Sequence, residues 1–356
     1  MKQLIRFITI VFTGIVIFNA CDTQELKDLN VDPAAANDMD PGYLFSYAIL
    51  TTEGQEHVNS RALLTETCCF NQHWASLYRW VGDKYLYNEP DNSALYDFAW
   101  RYVKELVWLT DVMLLDKPDH VNNLSMTRIW KVLAFHKLTD IYGDISYSEA
   151  GKAYIDGNYT PRYDTQEYIY DHMLTELEQA TAAFNPSVGT WGGQDYVYQG
   201  DITKWEKFGY SLMLRLGMRL SKVDPAAAGE WVQKAIAGGV IDNFDDAALI
   251  YYDATGSGSF NWNGFSYAYS KDGTGRLSNT LIDMLINTND PRLDVIGYKK
   301  PGFEAIGHKG MPNGYNVQTI KDYEGTGGAE VDINIYDEIN PLLVQLGSPK
   351  VFMTLA

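Results

Sequence analysis

Apolar residues recur along much of the chain at three- and four-residue steps. Leu95, Phe98, Tyr102, Leu106, Leu109 and Met113 trace one stripe, which predicts a helix from a cap at Asp91 or Asn92 to about residue 116. Pro118 and the polar Asn122 and Asn123 predict a break. Residues 128–142 are then apolar on almost every side, through Ile129, Trp130, Val132, Leu133, Ala134, Phe135, Leu138 and Ile141. So little polar surface predicts an inner helix of an α-bundle. Gly143 falls where a left-handed helix cap is expected. Asp140 and Asp144 flank the end of the macrodipole that disfavours carboxylates, so they need local partners, with Thr139 and Tyr142 as candidates.

Further helices follow. Asp164 stands as N-cap with Glu167 three positions on, a capping-box spacing, ahead of the stripe Ile169, Met173, Leu174, Leu177 and Ala180. Asn185 and Pro186 end that helix. Trp205, Phe208, Gly209, Leu212, Leu216 and Leu220 form the clearest stripe. Asp224, then Pro225, open a partner helix to about residue 237, closed by Gly238 and Gly239. Trp205, Phe208, Gly209 and Leu212 also have the first-helix spacing of a tetratricopeptide repeat, without a strict period of about 34 residues. Shorter helices are predicted at 43–50, 62–74 and 277–287. Residues 244–274 and 297–335, rich in Gly, Ser, Asn and rings, predict irregular chain too long for an ordinary connection. The last residues, PKVFMTLA, read as the start of one more helix.

The 356 residues suffice for a large core, and a formal net charge of −18 argues against nucleic acid or anionic lipid headgroups as surface partners. It suits a neutral or cationic ligand, or simply solubility. The three cysteines, Cys21, Cys68 and Cys69, make no disulfide framework, and the adjacent pair reads as small core residues. Residues 1–20 read as a secretory signal: Lys2 and Arg6 supply the basic start, and residues 8–18 an apolar run too short for a membrane span. Cys21 after Ala20 marks a lipidation site. The alternative is an ordinary signal peptide with Cys21 incidental.

Several stretches together resemble the SusD/RagB family of outer-membrane nutrient-binding lipoproteins. They are LTDIYGDISYSEA at 138–150, LNVDP followed by PGYLF near the start, the Pro-Arg-Tyr-Asp-Thr-Gln-Glu run before the helix at 166, GDITKWEKFGYSLMLRLGMRLS at 200–221, and Asp290, Pro291, Arg292, Leu293. The small residue before Cys21 resembles a bacterial lipobox. The resemblance implies a mostly α fold, with degenerate tetratricopeptide-like helix pairs and a loop-rich ligand-binding region. It divides the chain into a signal peptide at 1–20, a polar tether at 21–42 and a helical domain at 43–356, incomplete at its C-terminus relative to the family pattern. It further implies an outer-membrane lipoprotein, anchored by lipid on Cys21 and facing the exterior. Such a protein hands an oligosaccharide, or a peptide in a RagB-like version, to a SusC-like TonB-dependent transporter and uses no cofactor.

Catalytic signatures such as GxSxG, HExxH, GxxxxGK[ST] and CxxC are absent from the sequence. The six histidines, His57, His73, His120, His136, His172 and His308, show no metal-ligand spacing. No enzyme is therefore expected, although a carboxylate pair of glycosidase type is not readable among 46 acids. Rings on glycine-rich loops point to binding, because they offer flat amphipathic surface at low entropy cost. Trp262, flanked by Asn261 and Asn263, is the leading candidate, followed by Trp191, Tyr267, Phe265 and Tyr269. A second group is Trp74, Tyr78 and Trp80. Plain packing is the alternative role for each ring. Arg215 and Arg219 are expected to pair with acids inside the scaffold. A structural helical-repeat lipoprotein and a surface glycoside hydrolase remain the competing readings.

Overall fold

A computed structural model describes residues 39–53, 64, 67–78, 81–86, 93–252, 262–345 and 350–353. The chain divides by compactness into Met1–Asp40 and Pro41–Ala356. All elements below belong to the second unit. Six helices carry the scaffold: α1 (Pro41–Glu53), α2 (Ala94–Trp108), α3 (Val121–Tyr142), α4 (Gln166–Ala182), α5 (Ile202–Arg219) and α6 (Pro225–Gly238). They pack in chain order, each on the next, with α3 touching α1, α2, α4 and α5. The fold is mostly α, of tetratricopeptide-like helix pairs, as expected.

The apolar circumference of α3 explains its place. Met126, Ile129, Trp130, Val132, Leu133, Ala134, Phe135 and Leu138 are all buried in one continuous core. The predicted break falls at Pro118, ahead of Asn122 and Asn123. Helix α3 starts at Val121, and both asparagines are buried in its first turn. Asn122 takes the amide of Asn185 (2.7 Å) and donates to the carbonyls of Asn185 and Val188 (2.9 and 2.8 Å), while Asn123 accepts from the amide of Trp191 (3.1 Å). Buried side-chain amides survive in a helix when each polar atom finds such a partner.

The stretch after α3 ties two helices together. Gly143 has φ +73° and ψ −121°, a conformation that excludes a Cβ. The carboxylate of Asp144 accepts the Gln166 amide (2.9 Å), and the Gln166 side chain donates to the Thr139 carbonyl (2.6 Å), so the end of α3 caps the start of α4. Asp164 is not the N-cap. Thr165 is, accepting from Tyr168 N, while Asp164 is drawn away to the Ser148 amide (2.7 Å) and a backbone bridge with Ile145. Asp140 finds its partners across helices, in the Tyr170 hydroxyl and in Arg219 (3.1 Å), rather than in Thr139 or Tyr142.

Helix α5 follows its sequence signals closely. Asp201 caps it by accepting from the amides of Thr203 and Lys204, and Asp224 caps α6 through those of Ala226 and Ala227. Trp205 is fully buried among Phe45, Trp130, Tyr198 and Phe208, and its indole N–H donates to Asp195 (2.6 Å). Gly209 lets α5 approach α4: a Cβ there would lie 2.5 Å from the Thr181 methyl.

A loop-rich region joins residues 67–86 to residues 262–345. Strand β1 (Trp74–Ala75) pairs antiparallel with β3 (Arg276–Leu277), and β4 (Gly297–Tyr298) with β5 (Glu338–Ile339). Buried Arg276 stitches it by donating to the carbonyls of Gly273, Gly275 and Ile333 and pairing with Glu338 (3.0 Å). Of the expected helix at 62–74, Leu64 and Thr67 are π-helical and Cys68–Phe70 α-helical, while Trp74 is strand; residues 62, 63, 65 and 66 lie outside the described residues. Two further expectations change. Residues 264–272 form a helix, α7 (Gly264–Asp272), ahead of α8 (Asn279–Asn287). The C-terminal segment is not helical: β6 (Lys350–Met353) pairs antiparallel with β2 (Ala248–Ile250), where backbone pairing satisfies its amides.

Candidate functional site

The loop-rich region gathers the rings that sequence reasoning kept in two groups. Asn263 is buried and caps α7, accepting from the amides of Phe265 and Ser266 (3.0 and 3.2 Å). Gly273 ends the helix in the left-handed conformation, φ +62°. Helical spacing then sorts the rings. Phe265 and Tyr269, four residues apart, share a face and lie over Trp74, with centroids 6.3 and 5.3 Å away. Tyr267 pairs instead with Trp262, at 4.9 Å and an interplanar angle of 37°. Trp262 is half-buried, and its indole N–H meets no acceptor among the described residues.

The predicted site residues therefore take different positions. Trp74 is buried in a small core with Leu64, Cys69, Leu277 and Ile282, and so is offered to packing rather than to a ligand. Asn263 spends its carbonyl oxygen on the helix cap. Trp191 is half-buried on the scaffold, 4.7 Å from the ring of Phe45, where the first turn of α1 closes over it at Gly42. Tyr78 is exposed. Asn261, Trp80 and Cys21 lie outside the described residues.

One feature was missed in the sequence. Phe70 and Tyr85 stack with centroids 6.0 Å apart and planes at 17°, and both rings are exposed, at 42% and 55%. The Gln72 side-chain amide donates to the Tyr85 hydroxyl (2.7 Å), while its oxygen accepts from Thr280 (2.8 Å). Both Gln72 (φ 54°) and Tyr85 (φ 55°) hold left-handed backbone, a conformation that costs a residue with a Cβ about 1–2 kcal/mol. Such outliers persist where surrounding contacts over-determine them, and they concentrate at functional positions. Asp83, two residues before Tyr85, is a buried carboxylate that accepts from Asn313 (2.6 Å) and the Gly314 amide (3.3 Å). Burial raises its pKa against the opposing pull of Lys84 and these bonds. Among the described residues no group of three or more His, Cys, Asp or Glu side chains is placed to hold a metal ion.

The family model described as "Starch-binding associating with outer membrane", SusD-like, matches residues 33–356, and the chain belongs to that family. Solved structures agree. A chitin-binding protein is 28% identical with a TM-score of 0.76, over 88% of this chain and 67% of its own. A SusD-like protein from Bacteroidetes is 21% identical with a TM-score of 0.74, over 89% and 70%. A chitin-binding SusD homologue from Flavobacterium johnsoniae is 22% identical with a TM-score of 0.69, over 88% and 62%. No curated protein matches the chain.

Proposed function

We propose that the protein captures an oligosaccharide at the cell surface and passes it to a SusC-like TonB-dependent outer-membrane transporter, acting as the transporter's lid. Lipid on Cys21 holds it on the outer membrane. It binds its ligand without cleaving it. The observation that carries the binding reading is the exposed, near-parallel Phe70–Tyr85 pair. Sugars present flat C–H faces that stack on such rings, and the Gln72 amide at its edge is placed to meet hydroxyls. Trp262 and Tyr267 supply a second pair of rings. Two of the structural relatives are described as chitin-binding, which makes chito-oligosaccharides the first probe. A neutral ligand also meets no repulsion from a chain of net charge −18.

The test is calorimetric titration with chito-, malto- and xylo-oligosaccharides. One series should bind saturably, and Tyr85→Ala should weaken it at least several-fold, since a ring stacked on a ligand contributes about 0.5–1.5 kcal/mol beyond its area. Failure of every series, or unchanged affinity in Tyr85→Ala, would remove the platform from the binding reading.

A further inference from the structure

A cavity of about 550 Å³ opens in the helical scaffold, away from the rings just described. That volume falls in the range of small-molecule sites, about 300–1,000 Å³. Its accessible apolar lining comes from Leu115 and Leu124, with Val107 and Phe135 bordering it from the core. Its charged lining comes from Arg128 and Lys131 on α3, His172 and Glu176 on α4, Lys152 in the loop between α3 and α4, and Asp111 in the π-helical turn Leu109–Met113 that ends α2.

The charges do not cancel. Arg128 spends its guanidinium on both oxygens of Glu176 (2.8 and 3.0 Å) and on Gln179 (2.8 Å). Lys152 stands 3.7 Å from Asp111. Lys131 is different. Its side chain is 15% exposed, it donates to Thr110 Oγ1 at 3.2 Å, and the nearest carboxylate oxygen, on Glu176, is 3.8 Å away. Two of its three N–H donors thus have no acceptor within hydrogen-bonding distance among the described residues, and a half-satisfied buried cation is costly unless something completes it. His172 accepts or shares the Tyr147 hydroxyl (2.9 Å), and burial keeps its pKa below the ordinary imidazole value, so it adds no charge at neutral pH. Three cations face two carboxylates, one positive charge in excess. The rest of the chain is acidic, but its field is screened beyond about 10 Å.

We propose that this cavity binds a small acidic sugar, a hexuronate, with the carboxylate on Lys131 and Lys152 and the C–H face of the ring on Leu115 and Leu124. A single negative charge matches the excess, and the apolar lining favours a sugar acid over a bare inorganic anion. The site is independent of the Phe70–Tyr85 platform.

Titration calorimetry of the full chain at neutral pH and about 0.1 M salt tests this, with sodium glucuronate as probe, glucose as its uncharged counterpart and inorganic phosphate as a bare anion. Glucuronate should bind saturably, with glucose and phosphate each about tenfold weaker or worse. Lys131→Met should weaken glucuronate by about tenfold and Lys131→Arg by less than about threefold, consistent with loss and retention of a charge-assisted bond. Lys152→Gln, on a partly exposed side chain that no core depends on, should weaken it by about two- to fivefold and serves if Lys131→Met fails to fold. Tyr85→Ala should leave glucuronate binding unchanged. The proposal is overturned if glucuronate gives no binding, if glucose or phosphate matches it, if the lysine variants bind as the parent does, or if Tyr85→Ala abolishes the binding.

Discussion

Replacing Gly209 by Ala tests how closely α4 and α5 are fitted. The new methyl would sit 2.5 Å from Thr181 Cγ2 and 3.1 Å from Ile129 Cδ1. Thr181 cannot simply rotate, because its hydroxyl donates to the carbonyl of Leu177 (2.8 Å) inside α4. Relief therefore requires breaking that bond or moving the helices apart. Overpacking of this kind costs about 1–3 kcal/mol. Against it stands the helix preference of Ala over Gly, about 1 kcal/mol. The balance is a net loss of about 1 kcal/mol, read as a lower urea midpoint at unchanged slope, followed by tryptophan fluorescence. Thr181→Ser removes the opposing methyl and keeps the hydroxyl bond. In that background Gly209→Ala should become neutral or stabilising, giving a coupling of at least about 0.5 kcal/mol between the two sites. A Gly209→Ala protein more stable than its parent in both backgrounds would refute the close approach.

Three other outcomes are expected. Glu176 is pushed upward by burial but held below its ordinary carboxylate pKa by Arg128 and Lys131, so the ion pair adds stability above the unfolded-state value that is lost as the pH falls through the folded one; Glu176→Gln should cost about 2 kcal/mol in urea melts at neutral pH and much less in acid. Cys21→Ala should release the protein from the membrane fraction on detergent partitioning, and unchanged retention would end the lipoprotein reading. Trp262→Ala should lower oligosaccharide affinity several-fold in calorimetry while leaving the melting temperature nearly unchanged; a large loss of stability would assign the ring to packing.

Local signals made the scaffold legible. The cap Asp224 with Pro225, the stripe from Trp205 to Leu216, and the all-round apolarity of α3 each depend on residues within a few turns of one another. What sequence reasoning missed depends on contacts across the chain. Asp164 had the local credentials of an N-cap, yet the Ser148 amide, sixteen residues back, claims its carboxylate. Residues 264–272 have the composition of a loop, and it is the pairing of the Asn263 cap with left-handed Gly273 that makes them a helix. The terminal strand Lys350–Met353 is fixed by a partner, Ala248–Ile250, about a hundred residues earlier. In the candidate site, Trp262 and Tyr267 were visible because they are near neighbours, and Tyr85 was not singled out. Phe70 carries no signal alone: it becomes part of a platform only when two left-handed turns set its ring against that of Tyr85.

The neck formed after α3 has a consequence for engineering. The bridge between Ile145 and Asp164, the bond from Gln166 to Asp144, and the grip of Glu149 on the Arg162 amide all close the excursion at its base. Its outer part carries exposed Tyr154 and Tyr159 around left-handed Gly157. Chain added at that tip lengthens a loop whose ends are already joined, and each doubling of a loop costs only about 0.6 kcal/mol. A reporter peptide or small domain spliced in at Gly157 should therefore leave both helices in register, turning the excursion into a handle for labelling the protein where it works.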